Sequence, residues 1–315
     1  MYVPNSYVTM NRIFTEIYRG NLKGVETCLN EGYFEEYKES AKTLIHDAVS
    51  NGRYEICELL ISCGVDLNER DAFGDTPLLI ACEHEYTGIA EMLLKNKADP
   101  NLKNSGTPPL EKAVARGDKD TVELLLEYSA NVNYSKFTWT SLLQFAIYGN
   151  ETDIIRILLE AKVDVNEVSQ CGTALHVAAD QGNKDVIDIL VEAKADINKT
   201  DHRGRTPILT AVESGHRVLV TTMINHHADI NIRDDLGKSL ADYLLKFNDN
   251  SIEELQRKFF EDEEKDIQMC REERKTSEPP AGMSVTAVSD RPRTETEIAF
   301  DEFYRQMNNK KLQLR

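Results

Sequence analysis

The chain has 315 residues, 41% hydrophobic and 29% charged, which is enough apolar material for a substantial core, yet no run approaches the roughly 20 apolar residues of a membrane span. Its 54 acids against 37 bases leave a net charge of -17, which argues against nucleic acid or an anionic membrane as ligand and favours a protein partner with a basic segment. The six cysteines form no CxxC pair and the first residues, MYVPNSYVTMNRIF, lack the basic and apolar regions of a signal peptide, so reduced thiols in the cytoplasm or nucleus are expected.

In chain order, residues 1–42 read as an N-terminal segment and capping repeat, because residues 13–32 (IFTEIYRGNLKGVETCLNEG) hold a glycine turn and an apolar second helix but no Thr-Pro start. Residues 43–238 read as six repeats, beginning at Thr43, Thr76, Pro108, Ser141, Thr173 and Thr206. In each, the hydroxyl residue is placed to cap a first helix such as ALHVAAD, and Pro77 and Pro207 suit its first turn. Gly52, Gly117, Gly182 and Gly215 fall at the end of that helix, where a left-handed residue is needed. A second helix follows with a wide apolar stripe, as in Val186, Ile187, Ile189 and Leu190, and then a turn-rich finger such as ADINKTDHRG. Residues 239–275 read as a degenerate C-terminal cap and a charged helix. Residues 276–315, rich in Ser, Thr, Pro and acid, read as a disordered linker with a short amphipathic tail at Ala299, Phe303 and Met307 that either folds on a partner or docks back on the array.

Two markers keep one ruler. Ala48, Ala81, Ala113, Ala146, Ala178 and Ala211 are spaced 33, 32, 33, 32 and 33, and so are Asn68, Asn101, Asn133, Asn166, Asn198 and Asn231. Together with phrases such as Thr173-Ala174-Leu175-His176 and Thr206-Pro207-Ile208-Leu209, this resembles the ankyrin repeat, with its T-P-L-H-x-A phrase and D-x-x-G-x-T finger, over roughly residues 11–246. The resemblance implies an all-α solenoid of stacked helix-turn-helix units with protruding hairpin fingers. It also implies a non-enzymatic scaffold, adaptor or inhibitor, monomeric and without cofactor, that binds another protein on its concave surface.

By the family's phase, the protein-binding positions are Phe73, Glu83, His84, Arg116, Phe137, Trp139, Tyr148, Asp180, His202, Arg203 and Arg205, with Asp75, Asp201, Glu213 and Asp234 adding acid to the same strip. Trp139, the only tryptophan, stands where other fingers have Gly74, Gly204 and Gly237, and it either staples the neighbouring finger or joins Tyr134, Phe137 and Tyr148 as a binding anchor. The acid either steers a basic partner to this strip or lies on the convex face as a solubilising charge. Asn68 and Asn166, which follow LLISCGVDL and LLEAKVDV, are similar to targets of the asparaginyl hydroxylase that acts on this family.

Catalytic and metal motifs do not emerge. No P-loop, G-x-S-x-G or H-E-x-x-H occurs; His46 and His176 sit where the family's imidazole bonds neighbouring repeats; and Cys171, His176, His226 and His227 lack paired metal spacing. The second functional reading, substrate-recognition adaptor of a ubiquitin ligase, rests on MCREER at residues 269–274, which is similar to the Cys-Arg step of the SOCS box without its leucines. The chain also resembles the inhibitors of NF-kappaB, with about six repeats and an acidic tail, in architecture and in no recognition residue, and here the acid lies mainly in the array. Residues 246–315 hold 13 positive and 16 negative charges, so -14 of the -17 lies in residues 1–245.

Overall fold

A computed structural model describes residues 6–33, 43–133 and 140–246. The chain divides into two compact units, residues 1–164 and 165–315. Among the described residues all regular structure is helical; two isolated bridges, Asn104 with Thr107 and Ser169 with Gly172, mark finger turns.

In the first unit, α1 (Ser6–Arg19) and α2 (Leu22–Cys28), with a π turn at Leu29–Tyr33, form the opening pair. Helix pairs α3 (Leu44–Ser50) and α4 (Tyr54–Ser62), α5 (Pro77–Glu83) and α6 (Thr87–Lys95), α7 (Pro109–Arg116) and α8 (Lys119–Glu127), and α9 (Leu142–Tyr148) and α10 (Thr152–Glu160) follow. First helices pack on first helices and second on second, α3 on α5 on α7 on α9. In the second unit, α11 (Ala174–Gln181) with α12 (Lys184–Glu192) and α13 (Pro207–Glu213) with α14 (Arg217–Asn225) repeat the pattern, and α15 (Leu240–Lys246) packs on α13. Each first helix from α3 to α13 starts one residue after the expected hydroxyl or proline position.

The cores are the expected stripes. Leu78, Leu79, Ala81, Leu110, Ala113, Leu143 and Ala146 are buried in the first unit and Val186, Ile187, Ile189 and Leu190 in the second, each large aliphatic side chain adding roughly 1.5–3 kcal/mol to stability. A seven-residue helix is far too short to persist alone, so this burial, rather than helix propensity, holds each pair.

The caps are more uneven than the sequence suggests. Thr76 accepts from the Leu79 N–H at 3.3 Å, and Ser141 and Gln144 form a reciprocal capping box. Thr43 and Thr206 make no cap bond: Thr43 adopts helical backbone angles (φ -95, ψ -5), which turn its hydroxyl out of position, and the Thr206 hydroxyl is buried without a partner. At the glycine turns, Gly117 and Gly182 are left-handed (φ 72 and 77) as expected, but Glu85 takes the same conformation with no glycine at hand, and so does Asn150 while Gly149 before it stays right-handed (φ -74). Lys97, Ser129, Lys162, Lys194 and His227 do so at the ends of second helices.

These turns also create a contact between successive repeats. A Cβ added to Gly52 would meet the Tyr86 ring at 3.1 Å, and one on Gly117 would meet the Glu151 carboxylate at 2.9 Å. In the second unit a Cβ on Gly182 would lie 2.7 Å from His216 Nδ1. Each glycine is therefore overlain by a side chain from the following repeat.

Candidate functional site

Three systems of hydrogen bonds set the fingers. An aspartate at the finger base folds the tip: Asp71 Oδ1 accepts from the Phe73 and Asp75 N–H groups (2.8 and 2.9 Å), Asp201 Oδ1 from Arg203 and Arg205 (2.8 and 2.9 Å), and Asp234 Oδ1 from Leu236 and Lys238 (2.9 and 2.8 Å). An asparagine ladder joins successive fingers. Oδ1 of Asn68, Asn101 and Asn133 accepts from the N–H of Asp99, Asn131 and Asp164 at 2.8, 2.8 and 2.9 Å, and in the second unit Asn166 and Asn198 accept from Asp196 and Asp229, both at 2.8 Å. Histidine ties helix to finger: His46 Nε2 faces the Glu69 and Asp75 carbonyls (3.0 and 3.1 Å), and His176 Nε2 faces the Arg205 carbonyl (2.8 Å). The Thr173 N–H donates to His176 Nδ1 at 3.1 Å, so the ring is neutral with its proton on Nε2, and burial holds its pKa below the usual imidazole range. Both imidazoles are scaffold, as the phase of the repeat implied.

The rigid tips carry exposed side chains. Phe73 is 84% exposed, and His202 and Arg203 stand out from the second unit. At the ends of the first helices, His84 stacks on Tyr86 with ring centroids 5.6 Å apart, and Tyr148 is exposed on α9. Glu83, from the end of α5, accepts from both Lys112 Nζ and Arg116 Nη2 on α7. Its carboxyl is held below the usual range, chiefly by the Lys112 ammonium and, against some desolvation, by Arg116. In the second unit Arg205 donates to Asp201 Oδ2 through Nη2 (2.7 Å) and to Glu213 through Nη1. That pairing spans from finger base to the end of α13 and puts the two on one side of the unit. Burial pushes the Asp201 carboxyl up, but hydrogen bonds from the Arg205 and Arg203 N–H groups and the Arg205 guanidinium outweigh it, and the net shift is downward. Asp180 Oδ1 accepts from the Ser214 hydroxyl at 2.6 Å, and its carbonyl faces His216 Nε2 at 2.8 Å.

The acids on the proposed strip each accept a hydrogen bond from another group of the chain, Asp180 and Glu213 from exposed positions. Besides Glu83, Asp180, Asp201 and Glu213, Asp75 accepts from Asn104 Nδ2 (2.7 Å), and buried Asp234 accepts from the Tyr243 hydroxyl (2.8 Å). Exposed acid in the first unit concentrates on second helices instead, at Glu55, Glu58, Asp120, Glu123, Glu127, Asp153 and Glu160. Phe137 and Trp139, with Tyr134, lie outside the described residues.

The sequence profile for ankyrin repeats (3 copies) matches residues 16–104, 45–136, 101–169 and 142–234. The chain belongs to the ankyrin repeat family. Among curated ankyrin relatives, it is 32% identical to ankyrin repeat protein FPV031 of Fowlpox virus over 136 residues, covering 42% of this chain and 40% of that protein. It is 34% identical to Rabankyrin-5 of Mus musculus over 134 residues, 41% of this chain and 12% of that one. It is 30% identical to the Gallus gallus nuclear factor NF-kappa-B p105 subunit over 175 residues, 53% of this chain and 18% of that one. The chain spans less than half the length of each of these relatives. Among solved structures, the ankyrin repeat domain of human ASB11 superposes with a TM-score of 0.56 at 26% identity, covering 63% of this chain and 90% of that one. The ankyrin repeat domain of Bcl-3 gives 0.55 at 17% identity, covering 74% and 92%, a likeness of fold.

Two residues of the ankyrin surface escape the sequence reading, one exposed and one half-buried. Leu236, 76% exposed, occupies the same tip position as Phe73 and Arg203, and the phase of the repeat was sufficient to find it. Lys112 lies mid-helix, and only the packing of α7 on α5 shows that it reaches Glu83. Among the described residues no group of acids, histidines and cysteines is arranged to hold a metal ion, and no helix is long and apolar enough to cross a membrane.

Proposed function

We propose that this ankyrin chain is a non-enzymatic binding module, acting as scaffold, adaptor or inhibitor, that holds a partner protein on its finger tips and first-helix ends. The observation that carries the reading is the exposure of Phe73 on a finger already folded by Asp71. An aromatic held out on a rigid backbone loses little further entropy on binding and is the kind of anchor that dominates interfaces. Free thiols at exposed Cys63 and Cys171 suit a reducing compartment, cytoplasm or nucleus. The test is a photo-cross-linking amino acid placed at Phe73 and, as control, at Glu123 on the outward side of α8. Capture of a partner from cells at position 73 and not at 123 supports the reading, and equal capture at both, or none at 73, refutes it.

The alternative, a ubiquitin-ligase adaptor, depends on residues 269–274 and predicts that ligase subunits co-purify with the full chain and are lost on removal of residues 247–315. Hydroxylation of Asn68 and Asn166 is a further element of the proposal. Both side chains use Oδ1 in the ladder, and mass spectrometry showing no added oxygen on either residue in cells containing the hydroxylase rejects it.

A further inference from the structure

The second helices α4, α6, α8, α10, α12 and α14 begin at residues 54, 87, 119, 152, 184 and 217, in steps of 33, 32, 33, 32 and 33. In each, the fourth and seventh residues are at most 1% exposed, as are Cys57 and Leu60, Ile187 and Leu190, and Val220 and Met223. Two contacts tell which sides of these helices meet which neighbour. Thr87, first in α6, and Thr121, third in α8, bring their hydroxyls to 2.9 Å, and Asp188, fifth in α12, meets His226 at the end of α14 at 2.7 Å. At 3.6 residues per turn, the first, fifth and eighth residues therefore face the following repeat and the third faces the preceding one. Among the described residues no second helix follows α14. Its eighth residue, Ile224, is nevertheless only 7% exposed, more buried than its counterparts Leu126 and Val191.

We propose that residues 249–257 are the second helix of a seventh repeat, lying over Ile224 and closing the C-terminal edge of the second unit. This goes beyond the binding role and does not depend on it. A step of 32 from Arg217 reaches Asp249. The fourth and seventh residues are then Ile252 and Leu255, both apolar, and the third is Ser251, a hydroxyl like Thr121. The first, fifth and eighth, which would face away from the array, are Asp249, Glu253 and Gln256, polar as the outer side of a last helix must be. Asn248 stands before the helix as Asp118 and Asn183 stand before α8 and α12, where each accepts from an N–H of the first turn. Phe247 falls at the turn position that Glu85 and Asn150 occupy in the left-handed conformation. Phe260 falls where Ala98 and Ala228 are buried after their helices. One position departs from the pattern: Glu254 stands where Ile189 and Thr222 are buried, which makes this helix the least firmly held of its row. A deletion of residues 247–315 then strips the helix together with the tail, and one that starts at Asp262 removes the tail alone.

The test uses the full chain with Cys63→Ser, Cys171→Ser and Cys270→Ser, into which two cysteine pairs are introduced separately. Arg217→Cys with Ser251→Cys reproduces the first-to-third pairing of Thr87 and Thr121, a spacing that a disulfide can bridge. Arg217→Cys with Gln256→Cys places the second thiol on the outer side. After mild oxidation of dilute protein, peptide mass mapping should find the 217–251 disulfide in at least about tenfold excess over the 217–256 disulfide, because only the first pair lies within bonding geometry. Equal yields, or no 217–251 disulfide, overturn the proposal. Thermal unfolding of single variants provides a second readout. Leu255→Ala should lower the melting temperature by several degrees and Gln256→Ala should leave it unchanged, as for a buried and a solvent-facing residue of one helix. A Leu255→Ala variant that melts as the parent does, or a Gln256→Ala variant that melts as low as Leu255→Ala, also overturns it. Loss of partner capture through Phe73 bears on the binding role alone, so the two readings fail separately.

Discussion

Replacing Asn133 with alanine isolates one rung of the asparagine ladder. Its Oδ1 accepts from the Asp164 N–H at 2.9 Å and its Nδ2 donates to the Lys162 carbonyl at 3.1 Å, so one side chain fastens two backbone groups of the following repeat. A neutral hydrogen bond contributes about 0.5–1.5 kcal/mol net, and because both of these bonds are solvent-exposed the released groups regain water, so the loss should be about 1–2 kcal/mol rather than a full desolvation penalty. Asn133→Asp keeps the acceptor and loses the donor, and should fall between wild type and alanine. The assay is urea unfolding combined with hydrogen exchange at the Asp164 amide. Protection there should drop in the alanine variant and persist in the aspartate variant. If the alanine variant loses less than about 0.3 kcal/mol, or the Asp164 amide exchanges as in wild type, the ladder does not join the repeats in the way its geometry implies.

Three further outcomes are expected. Glu85→Gly should stabilise the chain by about 0.5–1 kcal/mol in urea unfolding, because it relieves a left-handed residue (φ 58) that costs more than the added unfolded-state freedom of glycine. Gly182→Ala should cost roughly 2–3 kcal/mol, more than Gly215→Ala, since both are left-handed but only the former meets a neighbour, His216; a second substitution, His216→Ala, should erase the part due to that contact, as measured by a double-mutant cycle. His176 is neutral in the fold with its pKa lowered by burial, so its contribution is complete above the unfolded imidazole value of about 6.5, starts to fall below it and is lost as pH drops through the lower pKa of the fold; melting temperatures between pH 7.5 and 5.5 should decline less in His176→Gln, which preserves the cap as Gln144 does beside Ser141.

The helices were legible because two residue types recur on one spacing and because a buried stripe on a short helix leaves a strong mark; α12 buries the four residues that its pattern singled out. The left-handed turns were legible only where glycine announces them. Lys162 and His227 adopt the conformation because the packed helices on either side force it, and no local residue preference reveals that. The placement of the finger tips was legible in phase, and the hydrogen bonds of their acids were not. Phe73 and Arg203 stand at the tips where the spacing placed them, whereas the use of Asp75, Asp201 and Asp234 as internal acceptors depends on which N–H groups the finger turns toward them. A count of charges along the chain treats a committed carboxylate and a free one alike.

The side chains that overlie the helix-end glycines have a consequence for exchanging parts of this chain. Gly52 and Tyr86, or Gly117 and Glu151, are separated by 34 positions, so each pair straddles the boundary between two repeats, as do the ladder bonds from Asn68 to Asp99 and from Asn101 to Asn131. A transplanted single repeat would arrive with half of a pair at either end, and a block of three would break no more pairs than a block of one. Grafts between relatives within the first unit should therefore be made as long blocks, with both junction partners carried over, and a graft that fails as a single repeat should recover when its next neighbour is brought with it.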